Sequence, residues 1–242
     1  MSYFRGFPTT FYKFGDEKTD DVFRNIAIYA DVIDQIKTNL TAYENYNIGP
    51  SERPDQSSYK LYGTVDYYWT FFMMNAKLRE QGWPLSRRAV FDLGQSKYNQ
   101  LILTTRTELT DRFKVGQIIS GNISGHSGKI VHREIDLGQL YISSNTGDFT
   151  AGETIESTNS SGVVETIVLN STSIQANAAH HYENASGHNV DIDPRVGPGA
   201  GISEVTWLER LINENDELTR IRVIRSQNIK EVSEAFKRAI KT

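Results

Sequence analysis

A histidine-rich segment in the C-terminal third of the sequence holds the residues best suited to metal chemistry. His180, His181, His188, Asp191 and Asp193 fall within fourteen positions. Imidazole and carboxylate groups are good ligands for Zn²⁺ or Mn²⁺. Their spacing matches no known ligand pattern, however, and the surrounding residues are mostly Asn, Ser, Ala and Gly. We therefore predict a polar loop here, and no metal site.

The other residue types that carry out catalysis are absent from the sequence or lie in unsuitable contexts. The chain has no cysteine and no Gly-x-Ser-x-Gly motif for a nucleophilic serine. The stretches SGNISG and GPGAG lack the Gly-Lys-Ser/Thr ending of a phosphate-binding loop. The acidic pairs Asp20–Asp21 and Glu214–Asp216 are typical of helix caps and solvated surfaces. The sequence thus predicts neither an enzyme nor a cofactor.

Composition indicates a globular protein with no affinity for nucleic acid or membranes. The 242 residues are 38% apolar, enough for a core in one large or two small domains. The net charge is −4, whereas nucleic-acid-binding domains normally carry a clustered basic excess. A membrane span needs about 20 consecutive apolar residues, and polar residues interrupt even the aromatic stretch LYGTVDYYWTFFMMN. The first 21 residues lack the apolar core of a secretion signal, so we expect assembly in the cytoplasm.

Helical spacing of apolar residues predicts the first two elements. An amphipathic helix capped by Thr19 or Asp20 places these residues on one face: Val22, Ile26, Tyr29, Ile33, Ile36 and Leu40. A turn-rich connector follows. Pro54 then suits the first turn of a second helix, which we expect to end near Gly63.

The aromatic stretch predicts a helix that is buried on all sides. Thr64 is placed to cap it, and the run VDYYWTFFMMNAKL puts apolar residues on nearly every helical face. After a break at EQGW, Ser86 caps a further helix that runs to about Tyr98.

An internal repeat predicts a β module over residues 107–170. FKVGQIISGNISGHSGKIV aligns with FTAGETIESTNSSGVVETIV at a spacing of 36 and then 37 residues, one inserted residue explaining the shift. The aligned pairs are Phe113 with Phe149, Gly116 with Gly152, Ile119 with Ile155, Gly125 with Gly162 and Ile130 with Ile167. Two strand-turn-strand copies, each with one apolar face, would bury those faces as a small barrel or sandwich.

The remaining sequence completes an α+β organisation. Residues 171–206 are poor in aliphatic side chains and predict a long exposed loop. TRIRVIR alternates as a strand does, and NIKEVSEAFKRAI places Ile229, Val232, Phe236 and Ile240 on one helical face. The predicted segments are therefore 1–106, an N-terminal extension and core; 107–170, the β module; 171–206, the loop; and 207–242, which completes the core.

Several short motifs resemble the baseplate wedge protein of contractile-tailed phages. They are DVFRNI, RPD, KLYG, DYYWTFFMMN and WPLS, in the order and spacing found in that family, within about the first hundred residues. The C-terminal RIRVIRSQNIKEVSEAFKRAI is also similar to the family, although less specifically. The resemblance implies a LysM-like core in which LYG, YYW and Asn75 mark paired helices, so that the β module is an addition.

The resemblance also implies a mechanical function. Proteins of this family join neighbouring wedges, six of which close around the central hub to form the tail baseplate of the virion, and no catalytic residues come with the family. The expected partners are other wedge subunits, with hub or sheath proteins as further possibilities. Aromatic and Arg side chains suit such contacts. The candidate interface residues are Tyr3, Phe4, Phe7, Phe11, Arg53, Tyr67, Tyr68, Trp69 and Trp83; the alternative is that these rings only form the monomer core.

Two rival functions remain open at this point. A LysM-like core suggests a peptidoglycan- or carbohydrate-binding module of the virion, in which aromatic rings stack on sugars. A hydrolase that uses the histidine-rich segment would lose turnover when His181 and His188 are replaced by Ala. Sequence patterns favour neither of these over the structural function.

Overall fold

The computed structural model describes residues 8–16, 19–25 and 43–239. Its strands are β1 (Thr9–Tyr12), β2 (Asp21–Arg24), β3 (Tyr43–Asn47), β4 (Leu101–Thr105), β5 (Ile118–Gly121), β6 (Ser127–Glu134), β7 (Gln139–Ser143), β8 (Thr154–Thr158), β9 (Val164–Ile174), β10 (Ala179–Asn184), β11 (Asn189–Val190), β12 (Ile202–Thr206) and β13 (Arg220–Ile224). Its α-helices are α1 (Pro54–Tyr62), α2 (Trp69–Met74), α3 (Ala76–Gln81), α4 (Arg87–Lys97), α5 (Trp207–Leu218) and α6 (Ile229–Ala239). The predicted mixed α+β class is confirmed. None of the helices in the described ranges has the length and apolar character needed to cross a membrane.

The chain divides into two compact units. One contains the described residues up to Arg87 and from Asn215 onwards, and the other is Arg88–Glu214. The second unit is therefore larger than the predicted β module, because it also takes in most of α4 and the strands that follow the repeat.

A two-stranded antiparallel sheet joins distant parts of the chain in the first unit. β3 pairs with β13, so that Asn45 lies opposite Arg222. The predicted C-terminal strand and helix are both present. Ile229 and Phe236 of that helix are buried, as expected, whereas Ile240 lies outside the described residues.

Two apolar clusters fill the first unit and bury the aromatic stretch. In one, the Trp69 ring lies 4.7 Å from the Phe236 ring, beside the buried Ile224. In the other, Phe71 of α2 packs with Val223 of β13. Both clusters therefore combine residues from the first third of the sequence with its C-terminal segment.

Helix α1 begins and ends where the sequence predicts. Pro54 occupies its first turn, and the Gln56 side chain accepts a hydrogen bond from the Arg53 backbone N–H at 2.9 Å. The helix stops at Gly63, which has the left-handed φ of 71° that glycine adopts at little cost. The Gly63 N–H donates to the Tyr59 carbonyl at 2.9 Å.

The single helix predicted after Thr64 is instead broken into three pieces. A 3₁₀ turn over Val65–Tyr67 is followed by α2 and α3, which are separated at Asn75 by an extended backbone. The Asn75 side chain donates to the carbonyls of Phe71 at 2.8 Å and Arg222 at 2.9 Å, and accepts from the Arg222 N–H at 2.9 Å. The Asn75 amide thus bonds the edge of β13 that does not pair with β3, much as a further strand would. The residue that separates α2 from α3 therefore attaches both helices to the sheet.

The N-terminal amphipathic helix is also corrected where the structure describes it. Asp21–Arg24 forms β2, which pairs with β1 in an antiparallel hairpin. Val22 lies opposite Phe11 and Phe23 opposite Thr10. β-branched and aromatic residues favour such cross-strand pairs, and this pairing prevails over the helical spacing. The remainder of the predicted helix lies outside the described residues.

Six strands of the second unit pair in a closed ring. The order is β4, β7, β6, β5, β8 and β9, and β9 pairs again with β4. Of the two arrangements that the repeat left open, the structure therefore has the barrel. The module is wider than predicted, since β4 begins at Leu101 and β9 extends to Ile174.

The repeat explains which residues fill the barrel. The five aligned pairs divide into apolar residues that are buried inside and glycines that form the turns. Phe113, Phe149, Ile119, Ile155, Ile130 and Ile167 all belong to the buried cluster. The glycines have matching positive φ angles: 96° and 84° at Gly116 and Gly152, 67° and 79° at Gly125 and Gly162.

The predicted loop over residues 171–206 is wrong for much of its length. β9 continues to Ile174, and β10 lies between β11 and β12 in a three-stranded sheet. The sequence did not predict these strands because the sheet buries few aliphatic side chains. Its buried residues are Ala179 and Val205. β10 is instead fixed by pairing with a strand on each side.

We expect Asn75→Ala to lower the free energy of unfolding by about 1–3 kcal/mol, because it leaves the backbone N–H and carbonyl of Arg222 without their side-chain partner. Chemical denaturation followed by circular dichroism measures this change. Asn99→Ala, at an exposed position with irregular backbone, is the control and should shift stability by less than about 0.5 kcal/mol. Equal effects of the two substitutions would contradict this function of Asn75.

Candidate interaction surface

The predicted interface residues fall into exposed and buried groups. Phe11 is 67% exposed and Tyr68 is 41% exposed, and the Arg53 side chain is largely in solvent. Trp69 is only 8% exposed. Tyr3, Phe4 and Phe7 lie outside the described residues.

The hairpin of β1 and β2 presents apolar side chains to solvent. Every residue of both strands is exposed. The ring of Tyr12 lies 4.9 Å from that of Phe14, and the ring of Phe14 lies 5.7 Å from that of Phe23. Tyr12, Phe14 and Phe23 therefore form a continuous aromatic row. A two-stranded hairpin is marginally stable alone, and a contiguous exposed apolar patch is typical of interaction sites.

Trp69 and Tyr67 support the core of the first unit. The position of Trp69 against Phe236 corrects its prediction as an interface residue, because little of its ring remains for a partner. Tyr67 is partly buried, and its ring lies 5.7 Å from that of Tyr62 in an edge-to-face arrangement. Apolar residues at all helical faces indicate burial but do not show which rings reach the surface.

Trp83 is half-buried and fixes the segment before α1. Its Nε1 donates to the Glu52 carbonyl at 2.7 Å. Its ring lies 5.8 Å from those of both Phe71 and Phe72. Trp83 therefore positions the neighbouring Arg53 rather than acting as a freely exposed ring.

Glu52 is a buried carboxylate that organises this segment. Its oxygens accept hydrogen bonds from Tyr46 Oη, Ser57 Oγ and Lys60 Nζ, each at 2.7 Å, and from the Gly49 N–H at 3.1 Å. Burial alone would raise the pKa of Glu52, but these donors outweigh it and lower the pKa to about 2. Glu52 is therefore ionised and holds the turn before α1 against that helix.

A shallow groove beside α1 adds a residue that the sequence did not single out. The groove has a volume of about 670 Å³, and Tyr59, Asp55 and Val65 are among its lining residues. Tyr59 is 63% exposed. Arg53 lies at the start of the same helix, with its Nε 3.1 Å from Asp55. The sequence of α1 does not distinguish Tyr59 from the partly buried Tyr62, so only the three-dimensional structure reveals its exposure.

The histidine-rich segment forms a directed hydrogen-bond chain. Arg210 Nη1 lies 2.7 Å from His180 Nε2, His180 Nδ1 lies 2.8 Å from His181 Nδ1, and His181 Nε2 lies 2.9 Å from Glu183. Arginine only donates hydrogen bonds, so His180 accepts at Nε2 and donates from Nδ1, and His181 donates to Glu183. The His180 ring also packs edge-to-face on Trp207 at 4.4 Å.

Two other members of the segment, His188 and Asp193, have separate partners. The backbone N–H of His188 donates to the side-chain oxygen of Asn184, and Asp193 forms an ion pair with Arg195 at 2.9 Å. Among the described residues, no group of three or more His, Asp or Glu side chains is placed to hold a metal ion.

Comparison with known families concerns the part of the chain that carries the hairpin, α1 and the aromatic helices. Residues 10–105 match the model of the family described as base plate wedge protein 53. The resemblance to phage baseplate wedge proteins is confirmed. The match supports a structural role in the phage baseplate and a location in the virion tail. No curated protein matches the sequence.

Lowering the pH from 4.5 towards 2 should destabilise the first unit. The Glu52 carboxylate has a pKa near 4.5 in the unfolded chain and of about 2 in the folded protein. As the pH falls, the unfolded state therefore takes up the proton first. About 3 kcal/mol of stability is present above pH 4.5 and is lost as the pH falls through this window. Acid unfolding of wild type and Glu52→Gln, with the exposed Glu80→Gln as control, measures the contribution. An acid-unfolding midpoint in Glu52→Gln equal to that of the wild type would contradict this contribution of Glu52.

The second unit should lose stability between pH 7 and pH 5. Burial, Arg210 and His181 lower the pKa of His180 below its usual 6.5, so the unfolded state is protonated first as the pH falls. His180→Gln can still accept from Arg210 and donate to His181, and should reduce the difference between the melting temperatures at the two pH values. An identical difference in wild type and variant, measured by calorimetry, would show that His180 is not responsible.

Proposed function

We propose that this chain is a structural subunit of the phage tail baseplate that joins neighbouring wedges around the central hub. The observation that carries the proposal is the match of residues 10–105 to base plate wedge protein 53. The exposed aromatic row of the hairpin lies within the same residues. Adjacent subunits would bury this row, which water now surrounds.

A LysM-like core is part of the proposal. Its support is the order of elements in the first unit: strand β3, helices α1 and α2, and strand β13, with the two strands antiparallel. Tyr62 of α1 donates to the Ile224 carbonyl of β13 at 2.8 Å, and Asn75 bonds the same strand. Such bonds favour a rigid core, which a subunit that transmits force between neighbours requires.

Surface residues of this core would then make the contacts. Phe11, Arg53, Tyr59 and Tyr68 combine exposure with the aromatic or forked side chains that are typical of interface centres. Trp69 and Trp83 act indirectly, because they hold the helices and the segment before α1 in place. The barrel is an addition to this core, and hub or sheath proteins are further candidate partners of the chain.

The carbohydrate-binding alternative rests on one observation, the exposed Tyr59 ring beside the groove of about 670 Å³. Aromatic rings of this kind stack on sugars. Sedimentation with purified peptidoglycan discriminates, because a wedge-joining subunit should stay in the supernatant.

The decisive experiment mixes the purified chain with wedges from a phage that cannot make it. We expect six-fold rings, visible by negative-stain microscopy and sedimentation, only when the chain is added. Tyr12→Ser combined with Phe23→Ser should reduce ring formation by about tenfold or more, because it removes two rings of the exposed aromatic row. Val196→Ser, at another exposed apolar position, is the matched control. If the wild-type chain does not assemble wedges into rings and instead sediments with peptidoglycan, the carbohydrate-binding function replaces this proposal.

A further inference from the structure

One face of the sheet formed by β3 and β13 is polar at two of its residue pairs, which line a groove; the third pair on that face, Ile224 and Tyr43, packs in an apolar cluster. Arg220 is directly opposite Asn47, and Arg222 opposite Asn45, so that these four side chains share one face. Val223, on the alternate face of β13, is fully buried in the core. The groove has a volume of about 940 Å³, and all four polar residues line it.

The groove has an excess of positive charge in a chain of net charge −4. Its charged lining residues are Arg220, Arg222, Lys77 and Glu217. Glu217 pairs with Lys77, with 2.5 Å between the carboxylate and Nζ, and its pKa is lowered first by Lys77 and to a smaller extent by the nearby charge of Arg220. Both arginines are exposed, and neither forms an ion pair with any residue in the described part of the chain. Two guanidinium groups are therefore available to an external anion.

The backbone holds these guanidinium groups at a defined spacing. Alternate residues of a strand lie about 6.6–7 Å apart on the same face. The Asn75 amide bonds both the N–H and the carbonyl of Arg222 at 2.9 Å, which fixes the strand at that residue. A rigid presentation lowers the entropy cost of binding.

The chemistry of the groove favours an extended acidic peptide. Arginine makes paired hydrogen bonds with carboxylates, and the Asn45 and Asn47 amides can both donate to and accept from peptide groups. An extended ligand with acidic residues at alternate positions repeats at the same 6.6–7 Å spacing, about that of the arginines. Nucleic acid also offers anions, but the overall negative charge of the chain opposes it.

We propose that this groove binds an extended segment of a neighbouring baseplate subunit with Asp or Glu at alternate positions. This inference rests on the proposed function, since it names the chemistry of one partner in the assembly. It involves a surface distinct from the aromatic hairpin, so the two can be tested separately.

Binding is tested on the full chain with a fluorescein-labelled peptide of ten alternating Glu and Thr residues. Fluorescence anisotropy should show salt-sensitive binding that weakens about tenfold or more in Arg220→Gln combined with Arg222→Gln. Arg87→Gln combined with Arg88→Gln removes the same charge at two other exposed positions and should leave binding unchanged. Equal loss in both double variants, no binding by the wild type at millimolar peptide, or tighter binding of a 20-nucleotide single-stranded DNA that depends on the same arginines would overturn the proposal.

The ring-forming assay separates this inference from the proposed function. Arg220→Glu combined with Arg222→Glu should abolish ring formation while circular dichroism shows a folded chain. Normal rings with this variant would overturn the groove proposal alone. Failure of the wild-type chain to form rings would instead overturn the proposed function, and the peptide measurement would still decide whether the groove binds acidic segments.

Discussion

The pairing of β3 with β13 is the interaction on which the first unit depends. It joins residues that lie on either side of the whole second unit in the sequence. Val223 and Ile224, both fully buried, contribute to the two apolar clusters that also contain the aromatic residues of α2. The entropy cost of closing a long loop grows slowly with its length, so an insertion between the two strands is tolerable. The core of the first unit, however, is complete only when these two distant strands pair.

In both units a glutamate carboxylate accepts hydrogen bonds from backbone N–H groups of irregular segments; Glu52 and Glu153 are buried and Glu165 is partly buried. Glu52 does so before α1. In the barrel, Glu153 accepts from the N–H groups of Ile123, Ser124 and Thr150, and Glu165 accepts from that of Phe113. Their pKa values are lowered, because these donors outweigh the effect of burial. Since both glutamates belong to the second repeat copy and bind backbone of the first, they hold the copies in register.

The sequence patterns predicted regular elements well where a local rule determined them. Pro54 and Gly63 bounded α1, and the spacing of Phe113 and Phe149 identified the repeat. Failures occurred where distant contacts prevailed: Asn75 broke a helix to bond β13, and β10 needed neighbouring strands rather than aliphatic residues. The same limit applies to the site, because an aromatic stretch indicates burial in general but does not distinguish the buried Trp69 from the exposed Tyr68.

The matched family segment and the folding unit do not coincide, and this affects where specificity can arise. Residues 10–105 include the exposed hairpin and α1–α3, but not β13 or α6. The matched residues thus supply the aromatic surface, whereas Arg220 and Arg222 of the groove come from the strand that completes the core. A substitution at the buried Val223 or Ile224 would disturb packing, whereas Arg220 and Arg222 are exposed and can be replaced without touching either residue's place in the core. The strand can therefore vary these two exposed residues without loss of the fold, because they alternate with the buried Ile221 and Val223 along the strand.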